Sequence, residues 1–182
     1  MAAFAAALAT IGWLVQRHNQ IALSQKQHGL QTSLSRKQHT LNMLLQLRTG
    51  TLFNDHRTLL FSHYPAGHKV PKEDVAKLVA ARSNKSNYGR TDDGKPKLPL
   101  IESFMYIANF YEFLAAATRN GDLDKKMLED SIGAILVQFY DHFEPLIHDF
   151  QKRDEAGKPT NRAFEHLEWL VVDFRPKTKP RA

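Results

Sequence analysis

At 182 residues, with 42% hydrophobic and 24% charged residues, the chain has the length and composition of one folded domain and not of a disordered segment. It contains no cysteine, which excludes disulfides, thiolate metal sites, iron–sulfur clusters and a thiol nucleophile. Its net charge of +6 is unevenly placed: residues 1–54 carry +5 and no acid, residues 55–174 carry −3, and the tail from Arg175 carries +4. The folded centre is therefore slightly acidic and lacks the basic, aromatic-interleaved patches of a nucleic-acid binder.

Ala2 to Val15 is an uncharged apolar run, with Phe4, Leu8, Ile11, Trp13, Leu14 and Val15 as its bulky members. Trp13 followed by Gln16, Arg17 and His18 is the order expected at a membrane interface. As a helix, the run spans roughly 21 Å against a hydrocarbon core of about 30 Å, so it reads as a short anchor helped by snorkelling or local thinning of the bilayer. A cleaved targeting segment of an imported organellar protein and a buried helix are the alternatives. Cations follow the run and none precedes it. The positive-inside rule then predicts an N-terminus outside a bacterial inner membrane and the rest in the cytoplasm, with Arg17 and Lys26 facing lipid head groups.

Residues 16–48 have no proline and one glycine, Gly29, and are rich in glutamine, which predicts one long helix. Leu23, Leu30, Leu34, Leu41 and Leu44 form a partial heptad seam interrupted by Gln27 and Lys37. Either a coiled-coil stalk that pairs chains or a solvated helix resting its leucines on the bundle fits this pattern. His18, His28 and His39 are too far apart to share a metal and read as solvated.

A second helix is expected over Thr51 to Tyr64, ended by Pro65-Ala-Gly67, and a third from Pro71 to about Arg82. Ser83 to Pro99 reads as a polar loop. Leu100 to Thr118 is apolar on nearly every face and is placed at the centre of the fold. Gly121 is expected to end it and Asp122 or Asp124 to cap the next helix, which Pro145 kinks or restarts before Lys152. Thr160 is expected to cap a last helix. No stretch alternates as a strand. The expectation is an all-α protein: a long N-terminal helix followed by a bundle of about five helices. Its divisions are a membrane anchor (1–17), a cationic, Gln-rich stalk (18–50), a cytoplasmic bundle (51–174) and a basic tail (175–182).

A carboxylate on an apolar helix must be paired or neutral, so Glu112, with Asn109 one turn before it, marks a candidate polar core with Arg82, Arg119 or Arg153 as partner. Glu144 and His148 make at most half a metal site, and no metal or other cofactor is expected. There is no phosphate loop and no nucleophile elbow. Arg57 and His63 have the loose spacing of small helical ribonucleases, which keeps a toxin or ribonuclease-like enzyme open as an alternative.

The order of these features resembles a known family. Lys37-Gln-His-Thr-Leu-Asn-Met-Leu-Leu45, Ile107-Ala-Asn-Phe-Tyr-Glu-Phe-Leu-Ala115 and Arg119-Asn-Gly-Asp-Leu-Asp124 are similar to the bacterial and phage family known as domain of unknown function 4760. Asn109, Tyr111, Glu112, Arg119, Gly121 and Asp124 match its pattern, and Arg153 is compatible with it. The likeness covers most of residues 35–172. It implies a membrane-anchored helical domain in a prokaryote, no established reaction, and by analogy a role in host–phage conflict. The function expected from the whole is an interaction or oligomerisation module, with the membrane and either a second copy or another protein as partners.

Overall fold

The computed structural model describes residues 2–65, 67–83, 89–90, 96–97, 99–152 and 157–175. It is an all-helical protein: one long N-terminal helix, α1 (Ala2–Thr49), leads into a bundle of α2 (Thr51–His63), α3 (Lys72–Ser83), α4 (Leu100–Arg119), α5 (Lys125–Gln151) and α6 (Glu165–Phe174). The loop between α3 and α4 was expected to be free of strands. It contains a minimal antiparallel ribbon in which β1 (Gly89–Arg90) pairs with β2 (Pro96–Lys97).

α4 sits where its composition places it. Ile101, Phe104, Ile107, Ala108, Tyr111, Leu114 and Ala115 are all buried, with α2, α3 and α6 packed around them. The core is aromatic at its centre. Phe104 stands 5.4 Å from Phe143, 6.0 Å from Phe164 and 6.1 Å from Phe139, in the tilted, edge-on and stacked arrangements that ring quadrupoles favour. α5 packs against α6 at Gly133, where a Cβ would lie in ordinary contact with the Phe174 ring, 3.4 Å from Cδ2. Pro145 lies inside α5 without ending it.

Local chemistry explains the helix ends. Asp124 is the N-cap of α5, its Oδ1 accepting from Met127 N at 2.9 Å. After α4, Gly121 takes φ +81°, Gly121 N donates to Thr118 O and Asp122 N donates to Ala117 O, the pair of bonds of a Schellman motif. Thr160 does not cap α6 as expected. It sits at the end of α5, its amide donating to Gln151 O and its hydroxyl to Lys152 O. The N-cap of α6 is Phe164, a buried residue held at φ 57°, which provides no side-chain cap.

α1 meets the bundle only near its C-terminal end. Every residue from Gln16 to His39 is exposed, and burial begins at Thr40, followed by Leu44 and Leu47. The Thr40 hydroxyl donates to Arg36 O and accepts from Asp124 N at 2.8 Å, tying α1 to the start of α5. Among the described residues no helix is long and apolar enough to cross a membrane. The expected span accordingly has no support here, and the reason is visible in the sequence. The apolar run stops at Val15, so any window of α1 that includes the run and is long enough to cross takes in Gln16, Arg17 and His18. The side chains of Phe4, Leu8, Ile11, Leu14 and Val15 lie outside the described residues.

Candidate functional site

The expected polar core resolves into separate environments. Asn109 is exposed and joins no buried network. Tyr111 is buried against Phe53 and Phe139, and burial pushes its phenol up to about 12. Arg153 lies outside the described residues. Arg82, another expected partner, lies over the ring of Phe150.

Glu112 and Arg119 do come together, at the junction of α4 with α6. The four N-terminal amides of a helix need acceptors from outside it, and Phe164 offers none. Glu112 provides two of them from α4: Oε1 accepts from His166 N at 3.1 Å and Oε2 from Leu167 N at 2.7 Å, while Glu165 N bonds Arg162 O. The carboxylate is satisfied by backbone donors and by the positive end of the α6 dipole, which replaces the expected arginine partner. About two helical turns further along α4, Arg119 lies 5.5 Å over the Trp169 ring and donates to His166 Nδ1 at 3.4 Å. Lys125 covers the same indole at 5.8 Å and pairs with Asp173 at 2.5 Å. Arg162 grips Glu165 through two bonds of 2.7 Å and holds its carboxyl below the usual range. Glu112, Arg119 and Trp169 therefore form a clasp that fixes α6 on α4.

Two histidines are buried in the bundle. His56 shares a 3.0 Å hydrogen bond with Ser103 and stacks on Tyr106, 4.4 Å away. His142 packs its ring against Phe143 and Phe61. Burial lowers the pKa of both, although Asp55 and Glu102 pull His56 the other way. Ser103 is fully buried, which leaves its hydroxyl out of reach of a substrate. Arg57 and His63, the ribonuclease-like pair, are both exposed, and the His63 ring turns back to its own helix, within 3.2 Å of Leu59 O. The Glu144–His148 pair is joined by Lys69, which pairs with Glu144 and lowers the pKa of that carboxyl.

Two hollows remain. One, of about 700 Å³, lies over α5 between Lys69, Gly133, Asp141 and Phe174. Its rim charges are matched within the protein, Lys69 with Glu144, Asp141 with Arg175 and Asp130 with Lys126. The other, of about 790 Å³, is the wedge where α1 leaves α4, between His28, Arg36 and His39 on one side and Phe113 and Gly121 on the other. The exposed Phe113 in this wedge was not singled out by sequence; its place in an apolar helix hides it.

The most continuous exposed feature of the molecule is α1 itself. Leu23, Leu30, Leu34 and Leu41 stay uncovered along it, and Arg17 lies 5.3 Å over the exposed ring of Trp13. No curated protein and no solved structure matches the chain. Residues 1–174, which include α1 as well as the bundle with its Glu112 clasp, match the family described as Domain of unknown function (DUF4760), and the chain belongs to that family.

Proposed function

We propose that this chain is a membrane-attached interaction module, in which the apolar end of α1 seats in a bilayer and the bundle is presented to partners on the cytoplasmic side of a bacterial inner membrane. The observation that carries the reading is the absence of any acid before Asp55, combined with the apolar run and the exposed Trp13–Arg17 pair at its end. Indole rings prefer the head-group layer, and arginine beside them reaches phosphate. Lys26, Arg36 and Lys37 continue the positive charge along α1, and a basic residue within about a Debye length of an anionic surface, as Arg17 is in this arrangement, contributes about 1 kcal/mol of attraction. The positive-inside rule puts Gln16 and all that follows it in the cytoplasm. The roughly 21 Å of apolar helix is short of the bilayer core, so the segment is seated by thinning the bilayer or by stopping within it.

Flotation with vesicles containing about one-third anionic lipid tests this reading. The full chain should float, float less at high salt, and stay at the bottom of the gradient when Leu8→Asp and Ile11→Asp are combined. A wild-type chain that remains at the bottom sinks the proposal. Because there is no native cysteine, Ala5→Cys reports depth by its protection from a membrane-impermeant maleimide.

A further inference from the structure

We propose that α1 is also the pairing surface for a second copy of this chain, with the two helices parallel and in register along Leu23, Leu30, Leu34 and Leu41. The inference does not depend on membrane attachment. It starts from exposure: these four leucines are 59%, 59%, 66% and 46% exposed, although a leucine side chain gains about 1.5–3 kcal/mol from full burial. Their spacing of seven, four and seven residues is that of a two-helix seam. At about 100° per residue they fall within an arc of roughly 40°. The same geometry puts His28, Thr32, Arg36 and His39, which line the wedge against α4, on the opposite face, so the bundle of the same chain leaves the stripe open.

The residues between the leucines select the occupant. Gln27 and Lys37 stand in the seam itself. A glutamine amide carries both donor and acceptor, so it is satisfied by its own copy across a two-fold axis. In a parallel pair Lys26 of one helix faces Gln31 of the other, and its ammonium meets an amide oxygen, not a second cation. Lys37 is the charged position within the seam, and the two acid-free helices also repel each other, so pairing should strengthen with salt. A polar residue in a seam lowers stability while fixing register, and the long lysine stem lets its charge reach water.

Sedimentation of the full chain in mild detergent, without vesicles, should give twice the chain mass. Single cysteines then read the register against a cysteine-free background. On oxidation Gln27→Cys should form a covalent dimer, while Ser35→Cys, on the wedge face, should not. Leu30→Asp should weaken pairing by about tenfold or more and Lys37→Leu should strengthen it by about tenfold, with helix content unchanged by circular dichroism. A monomer at micromolar concentration overturns the inference. So does equal cross-linking at both cysteines, or preferential cross-linking of Leu23→Cys chains to Leu41→Cys chains, which is the antiparallel result. A chain that pairs but does not float removes only the membrane reading, and a chain that floats as a monomer removes only the pairing.

Discussion

The carboxylate of Glu112 on α4 and the backbone amide of Leu167 on α6 meet at 2.7 Å, and this bond with its neighbour at His166 closes an otherwise uncapped helix. The cap is carried in from another helix, so its loss acts on tertiary structure as well as on α6. Glu112→Ala is expected to cost about 1–3 kcal/mol, the range for losing charge-assisted bonds to a helix start. For a chain of this size that lowers the Tm by roughly 2–4 °C per kcal/mol. Glu112→Gln, which keeps one acceptor oxygen, should fall between the two. Urea unfolding followed by circular dichroism reads all three, and an unchanged midpoint in Glu112→Ala would remove the capping role.

The buried histidines make stability depend on pH in a definite direction. His56 and His142 are held neutral in the fold with a pKa below the ordinary 6.5, whereas in the unfolded chain they take up protons near 6.5. Stability is therefore fully present above 6.5 and is lost as pH falls from there through the lowered folded values. The urea midpoint should drop between pH 7.5 and 5.5, and replacing either histidine by glutamine should flatten that slope. A midpoint independent of pH over this window contradicts the assignment.

Thr40→Val keeps the volume of a fully buried side chain but removes the hydroxyl that serves Arg36 O and Asp124 N. The Asp124 amide is left without its acceptor, at a cost of about 1–3 kcal/mol. Hydrogen exchange at that amide should accelerate more than in the middle of α4. Equal exchange in both proteins would show that the contact is not maintained in solution.

Gly121→Ala places a Cβ at φ +81°, in the left-handed region, and within 3.7 Å of the Arg36 guanidinium. The expected loss is about 1 kcal/mol, chiefly from the backbone. Gly29→Ala is the matched control: it lies in mid-helix with open space around it, and the same change there should stabilise α1 by about 0.5–1 kcal/mol.

Much of the fold is legible residue by residue. Pro71, Pro99, Gly121 and Asp124 mark helix ends by chemistry that acts over a few positions, and the structure places ends there. The partner of Glu112 is not legible, because backbone amides carry no signature of residue type and their availability depends on Phe164 entering the left-handed region. Asn109 illustrates a second limit. Three residues on a helix turn by about 300°, and the remaining 60° is enough to leave Asn109 in water while Glu112 faces α6. Thr160 shows a third, since a cap for the start of one helix and a ligand for the end of the previous one use the same hydroxyl.

α1 runs without a break from Ala2 to Thr49 and is gripped only from Thr40 onward. Mechanically it is a lever with its fulcrum at Thr40. Trp13 stands roughly 40 Å from that fulcrum, so a tilt of about 10° at the base carries the indole through about 7 Å. Small rearrangements around the Thr40–Asp124 contact are thereby magnified at the far end, and any force on the tip is returned to the first turn of α5.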